Sequence, residues 1–336
     1  MSDTYPLGKL PPDVLLSLLT RNPIRDPRVV LGPRYGEDVA ALDLGGAHYL
    51  LAKTDPITFA TDEIGWYAAH VNANDIATAG GVPAWFMATL LLPEGRTDQA
   101  LVERIFDQIE AACDQLDVAL IGGHSEITYG INRPIVAGTM LGLVDKERFI
   151  LTGGAQPGDT LILTKGFPVE AIALIARERA SDLQDSLSPD LVAHCANYLH
   201  SPGISVVRDA RIAMSAGRIH AMHDPTEGGL ATGLWEMAEA SAKRLIVYPA
   251  PALLEEGRLL CEAVHIDPLG AIASGALLLS AHAEDAPAII AALAAEGISA
   301  YEIGYVEEGP PEVIDVSGKP RPLERPVRDE IARLFE

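Results

Sequence analysis

Three short stretches carry carboxylates at points where elements of structure should begin or end. Glu37-Asp38 opens a strand in YGEDVAAL, Asp55 ends one in LLAKTDP, and Asn74-Asp75 lies within HVNANDIATAGG. Taken singly, each is a solvated or capping group. Brought to one point, carboxylates repel by about 4 kcal/mol per pair at about 4 Å and an effective dielectric of about 20. A hard divalent cation relieves that repulsion, and oxygen-only ligands select Mg²⁺ over zinc. Mg²⁺ held by a few carboxylates completes its shell with water and substrate phosphates, which points towards a nucleotide. Lys53 and Lys165 are the nearest basic residues for a phosphate, and both read more readily as surface or rim charges.

Two glycine-rich stretches add to this set. In IGGHSEIT, Gly122-Gly123 predicts a tight turn between two strands, followed by His124 as ligand, catalyst or filler. In MHDPTEGGLA a strand ends at His223-Asp224, Pro225 stiffens the turn, and Gly228-Gly229 open a helix. Free N–H groups at a helix start favour an anion such as phosphate. A turn that serves packing alone is the competing reading.

The elements that must position these residues alternate between strand and helix. VAALDL and HYLLAKT flank GGA as a hairpin. Glu63 to Ala79 has a helical pattern, with Asp62 placed to cap it and Gly80-Gly81 to end it. Ala84 to Leu92 reads as a buried strand, and TDQALVERIFDQIEAACDQL as an amphipathic helix with Leu101, Ile105, Ile109 and Ala112 on one face. VALIGG and RPIVAGTMLGLV are strands on either side of the His124 turn. LTGGAQPGDT, residues 151–160, marks a domain boundary. Beyond it, LILTKG leads into the helix PVEAIALIARERA, and IHAMHDPTEGGLATGLWEMAEAS reads as strand, loop and helix, with Leu230, Leu234, Met237 and Ala238 on one face. SGALLLSA, APAIIAALAAEG and AYEIGYVEEG close with strand, helix and strand. The pattern predicts two mixed α/β (α+β) domains, 35–150 and 155–315, with an N-terminal arm 1–34 holding the short helix PDVLLSLL and a C-terminal tail 316–336.

Composition sets the class. The chain has 336 residues, 48% hydrophobic and 21% charged, enough for two soluble domains with their own cores. A formal net charge of −22 argues against nucleic acid and anionic membranes as partners. The longest apolar run is too short to span a bilayer, and MSDTYPLGKLPPD has no secretory pattern. Cys113, Cys195 and Cys261 are far apart and form no CxxC, so buried thiols in a reducing cytoplasm are expected. There is no P-loop, no G-x-G-x-x-G after a strand, no H-E-x-x-H and no G-x-S-x-G.

In this order, GEDVAAL, KTDP, NANDIATAGGVP, IGGHSEIT, AGTMLG, GAQPGDTLILTKG and DPTEGGLATGLWEMA resemble the superfamily of aminoimidazole ribonucleotide (AIR) synthetase. That superfamily also contains selenophosphate synthetase, thiamine-monophosphate kinase and the hydrogenase-maturation protein HypE. DPTEGGLA followed by IDPLG looks closest to the HypE branch. The resemblance implies a two-domain PurM-like fold whose first domains pair their sheets into a barrel in a homodimer. It also implies ATP and Mg²⁺ as cofactors, a small-molecule acceptor, and phosphoryl transfer that activates an oxygen of that acceptor. A thiamine-monophosphate-kinase-like reaction, or a nucleotide-binding maturation or assembly partner without turnover, are the alternatives. Carried over by position, Asp38, Asp55 and Asp75 look like metal and phosphate-side ligands, and Asn74 like a nucleotide-site neighbour. Gly123 and His124 fall on the loop beside the phosphates, and Asp224 with Gly228-Gly229 on the second domain's wall of the site.

Departures from the family are equally specific. Where HypE reads GDTK, this chain has Gly123-His124-Ser125-Glu126; where HypE reads ANEGK, it has Ala273-Ser274-Gly275-Ala276. Its sequence closes on IARLFE rather than on HypE's reactive cysteine. The arm has Lys9 but no cysteine, unlike selenophosphate synthetases. These differences speak against thiocarboxamide chemistry in its familiar form.

Overall fold

The computed structural model describes residues 5, 10–21, 23–34, 36–58, 60, 62–184 and 186–335. Lys9 lies outside the described residues. The described residues divide into two compact units: those within 26–32 and 38–149, and those within 1–25, 33–37 and 150–336. The helix expected in PDVLLSLL is α1, Pro12–Leu19.

The first unit is a sheet with helices on one face. Its strands are β1 (Val29–Leu31), β2 (Ala40–Leu42), β3 (His48–Ile57), β4 (Val82–Pro93), β5 (Ala119–Thr128) and β6 (Ile135–Asp145), in the order β1-β2-β3-β6-β4-β5. Its helices are α2 (Ile64–Thr78) and α3 (Gln99–Leu116). The β2–β3 hairpin forms where the alternation predicted it. Its neighbour β1 comes from the stretch expected to be a detached arm, because Val29 and Leu31 find a partner edge on β2. β4 and β5 run parallel, since α3 carries the chain back between them. Along β4, Phe86, Ala88, Leu90 and Leu92 are buried and the residues between them are only partly so, so one face of the strand is covered and the other is not. That covered face is the α2 side, where Asn72 lies against Gly138 of β6.

Two local expectations are corrected. Asp62 does not cap α2: the N-cap is Glu63, in a left-handed conformation at φ 58°, with no side-chain cap bond. Asp98 does cap α3, accepting from the Leu101 N–H at 2.8 Å. The double glycine is not a turn either, because β5 runs straight through Ile121 to Thr128. Gly123 sits at φ 154°, and a Cβ there would meet the Ala88 carbonyl oxygen at 2.0 Å. The glycine is needed for close strand approach rather than for a bend.

The second unit holds β7 (Thr160–Thr164), β8 (Ile219–His223), β9 (Arg244–Val247), β10 (Leu278–Ala281), β11 (Ala300–Glu307), β12 (Glu312–Asp315) and β13 (Arg321–Pro322). Their order is β13-β12-β9-β11-β7-β10-β8, antiparallel except for the β12–β9 pair. The helices are α4 (Val169–Glu178), α5 (Ala180–Leu183), α6 (Pro189–Ala196), α7 (Val207–Ala216), α8 (Gly229–Ser241), α9 (Glu255–Ala263) and α10 (Ala286–Ala295). Leu230, Leu234, Met237 and Ala238 of α8 pack with Leu161, Leu163, Leu245, Leu278 and Val306 into one core. Each of the Leu, Val and Met side chains stabilises the unit by about 1.5–3 kcal/mol on burial.

Residues after 315 are docked rather than loose. β13 pairs with β12, the Trp235 indole N–H donates to the Leu323 carbonyl at 2.7 Å, and Arg325 bridges Glu236 and Glu239 of α8. Cys113, Cys195 and Cys261 are buried and unlinked. Among the described residues no helix is long and apolar enough to cross a membrane.

Candidate functional site

Three of the sequence-selected carboxylates meet in the first unit. Lys53 and Asp55 are two apart on β3, so both project from one face of that strand. Their register partners on β6, Met140 and Gly138, identify it as the face covered by α2. Asp75 reaches the same point from α2, and Asp38 from the segment leading into β2. The Lys53 Nζ lies 3.0 Å from Asp75 Oδ2, 3.3 Å from Asp55 Oδ2 and 3.9 Å from Asp38 Oδ1. Asn72, one turn before Asp75, ties helix to strand by donating its amide to the Asp55 carbonyl at 3.2 Å and the Ala68 carbonyl at 2.8 Å.

Lys53 is therefore no surface charge, since only 12% of its side chain is exposed. Burial pulls its ammonium down, but Asp75, Asp38 and Asp55 outweigh burial and hold it well above the usual lysine range. The groups paired with it are three carboxylates, and its ammonium stands among them. Carboxylate oxygens are the donors that a hard cation such as Mg²⁺ takes.

The remaining candidates of this unit lie elsewhere. Asn74 is buried on α2, about 100° around the helix from Asp75 and one turn after His70. His70 is buried too, its ring 4.4 Å from that of Trp66. His124 pairs in register with Thr89, one residue out of phase with buried Ala88, and so lies on the sheet face opposite Lys53 and Asp55. It is 65% exposed, with Nε2 3.4 Å from Glu126 Oε2. Glu37 leaves the carboxylate set: it accepts from the Thr152 and Gly153 N–H groups in the second unit.

In the second unit Asp224 is buried directly after β8, beside His223, whose Nε2 is 2.9 Å from Glu236 Oε2. Gly228 and Gly229 open α8 with φ 80° and 63°. A Cβ on Gly229 would strike the Leu269 and Ala271 carbonyl oxygens at 2.5 and 2.6 Å. The helix start does bind an anion, but the anion is the chain's own. The Gly228 N–H donates to Asp329 Oδ2 at 2.6 Å, and Asp329 Oδ1 accepts from Ile331 at 2.7 Å and Ile272 at 3.3 Å. Burial, aided by the charge of Glu227 and opposed by those N–H groups, raises Asp329 to about 6.

Lys165 is buried as well, contrary to its reading as a rim charge. It donates to the Gly275 carbonyl at 3.0 Å and to the Ser205 carbonyl, and pairs with Asp209 at 3.2 Å. Glu170, unremarked in the sequence, is buried in the first turn of α4 with Oε2 unpartnered. Burial raises it to about 8, against a hydrogen bond to Ser274, with Glu227 and Asp329 adding repulsion. No sequence signal marks it beyond a charge just ahead of the apolar run 171–176 of that helix.

Two family models match the chain: AIR synthase related protein, N-terminal domain, over residues 36–144, and its C-terminal domain over 156–317. The chain is 27% identical over 285 residues to carbamoyl dehydratase HypE of Cupriavidus necator, covering 82% of this chain and 78% of that protein. It is 28% identical over 329 residues to a selenide, water dikinase of Nitratidesulfovibrio vulgaris, covering 87% and 89%. A crystal structure of hydrogenase maturation protein HypE in complex with ATP superposes with a TM-score of 0.70 at 24% identity, covering 90% of this chain and 91% of that one.

Proposed function

We propose, on the premise that the chain belongs to the AIR synthase related family, that it is an ATP- and Mg²⁺-dependent enzyme. Its reaction is phosphoryl transfer from ATP that activates an oxygen of a small acceptor. The observation that carries this reading is the meeting of Asp38, Asp55 and Asp75 around the Lys53 ammonium. A bound Mg²⁺ would neutralise phosphate charge and orient the transferring group. The chain's own contribution is to hold three carboxylates at fixed positions on β3, α2 and the β2 lead-in, with Asn72 fixing helix against strand. Asn74, next to Asp75 on α2, is a nucleotide-site neighbour in this reading.

The exposed edge at β5 supports a homodimer. β5 is an edge strand with β4 as its neighbour, and Ile121 and Ile127 are more than half exposed along it. An unpaired edge of this kind calls for cover, and a second copy of the same strand supplies it. His124 and Glu126 then lie at the subunit junction. A relative solved as a HypE–HypF complex supports a maturation protein as a further partner of this chain. A kinase reading is favoured by the solved ThiL complexed with AMPPCP and TMP, which shares the fold.

Release of ADP in a screen of small acceptors, lost in Asp75→Asn, is the expected result. ADP release that persists in Asp75→Asn overturns the assignment, and binding of ATP without turnover on any acceptor favours a nucleotide-binding assembly partner.

A further inference from the structure

Lys53 stands where a carboxylate-bound cation is expected, and it reaches that place from the same strand as one of the ligands. Two of its three contacts are at direct ion-pair distance, and little of the side chain meets solvent. The ammonium offsets part of the repulsion among the three carboxylates in the metal-free protein. A divalent ion arriving at the same oxygens meets a positive charge already in contact with them. Both cannot stay at that distance without strong repulsion. The four-carbon lysine stem is flexible enough for the ammonium to move away.

We propose that Lys53 is a tethered placeholder for the divalent cation. Ion entry is then an exchange in which the ammonium leaves Asp75 and Asp55, and an arriving polyphosphate accepts it. The inference rests on the metal reading of Asp38, Asp55 and Asp75 given above. It adds a regulatory consequence: the free ion binds weakly, and ion together with nucleotide binds well, because the nucleotide supplies the negative charge that the displaced ammonium needs. Lys53 is in this sense a positioning residue that also sets the order of ligand entry.

The test is titration of the whole protein with Mn²⁺ alone, followed by the electron paramagnetic resonance of the free ion, together with thermal melts in the absence of metal. Lys53→Met should bind Mn²⁺ about tenfold more tightly than the unaltered protein, because the competing charge is gone. It should also melt at a lower temperature without metal and recover when Mn²⁺ is added. Lys53→Gln provides a second neutral variant, and Lys53→Arg should restore both the metal-free stability and the weak Mn²⁺ binding. Equal or weaker Mn²⁺ binding by both neutral variants overturns the exchange while leaving the metal site standing. If neither the unaltered protein nor a neutral variant binds Mn²⁺ with or without ATP, the metal reading falls and the exchange falls with it.

Discussion

Replacing Glu170 by glutamine should raise stability, and by an amount that grows with pH. Glu170 is buried in the first turn of α4, and its folded-state value of about 8 stands well above the unperturbed 4.5. Folding at neutral pH therefore requires the carboxyl to take up a proton that the unfolded chain has given away. At about pH 7 that uptake costs about 1.36 × (7 − 4.5), or roughly 3 kcal/mol. The penalty is absent below the unfolded value, grows as pH rises through the interval, and levels off above the folded value at about 5 kcal/mol. Glutamine has nearly the same shape, can still bond Ser274, and carries no such ionisation. Denaturant melts of both proteins between about pH 5 and about pH 8 should diverge by about 4 kcal/mol across that range, the wild type falling relative to the variant. Parallel profiles would refute the reasoning, because they would mean that Glu170 ionises in the fold as freely as in the unfolded chain.

Other outcomes follow from the same geometry. Asp329→Ala strips the Gly228, Ile272 and Ile331 N–H groups of their acceptor and should lower stability by about 2 kcal/mol or more, with faster amide exchange at those three positions. Gly123→Ala forces a Cβ against the Ala88 carbonyl and should destabilise the first unit by about 1–3 kcal/mol, seen as a lower melting temperature; an unchanged melt would contradict the described β4–β5 approach. His124→Ala should leave Mn²⁺ affinity within about twofold, because the imidazole lies on the sheet face away from Lys53; a larger loss by direct titration would place it among the ligands.

Much of this fold was legible because each signal was local. The β2–β3 hairpin follows from alternation around a glycine pair, α3 from its apolar stripe, and the buried face of α8 from Leu230, Leu234 and Met237. β5 was misread because an edge strand exposed along its length has no buried face to impose alternation, so its double glycine looked like a bend. The sequence marks the three aspartates as a set but gives Lys53 only as a surface or rim charge near a phosphate, since its partners come from three separate segments. One clue was available: in KTD the lysine and aspartate are two apart, which on a strand puts them on one face. Asp329 was hidden for the same reason. It closes a helix start 101 residues earlier in the chain, and no local pattern announces such a pairing.

The central claim is that Asp38, Asp55 and Asp75 hold a divalent ion that brings in ATP. Isothermal titration of ATP into the protein, with and without Mg²⁺, on the wild type and on Asp75→Asn, tests it most directly. Saturable ATP binding that requires Mg²⁺ and disappears in Asp75→Asn is the expected result. Binding that is indifferent to Mg²⁺ or to that substitution, or no binding by the folded protein at about millimolar ATP, would contradict it.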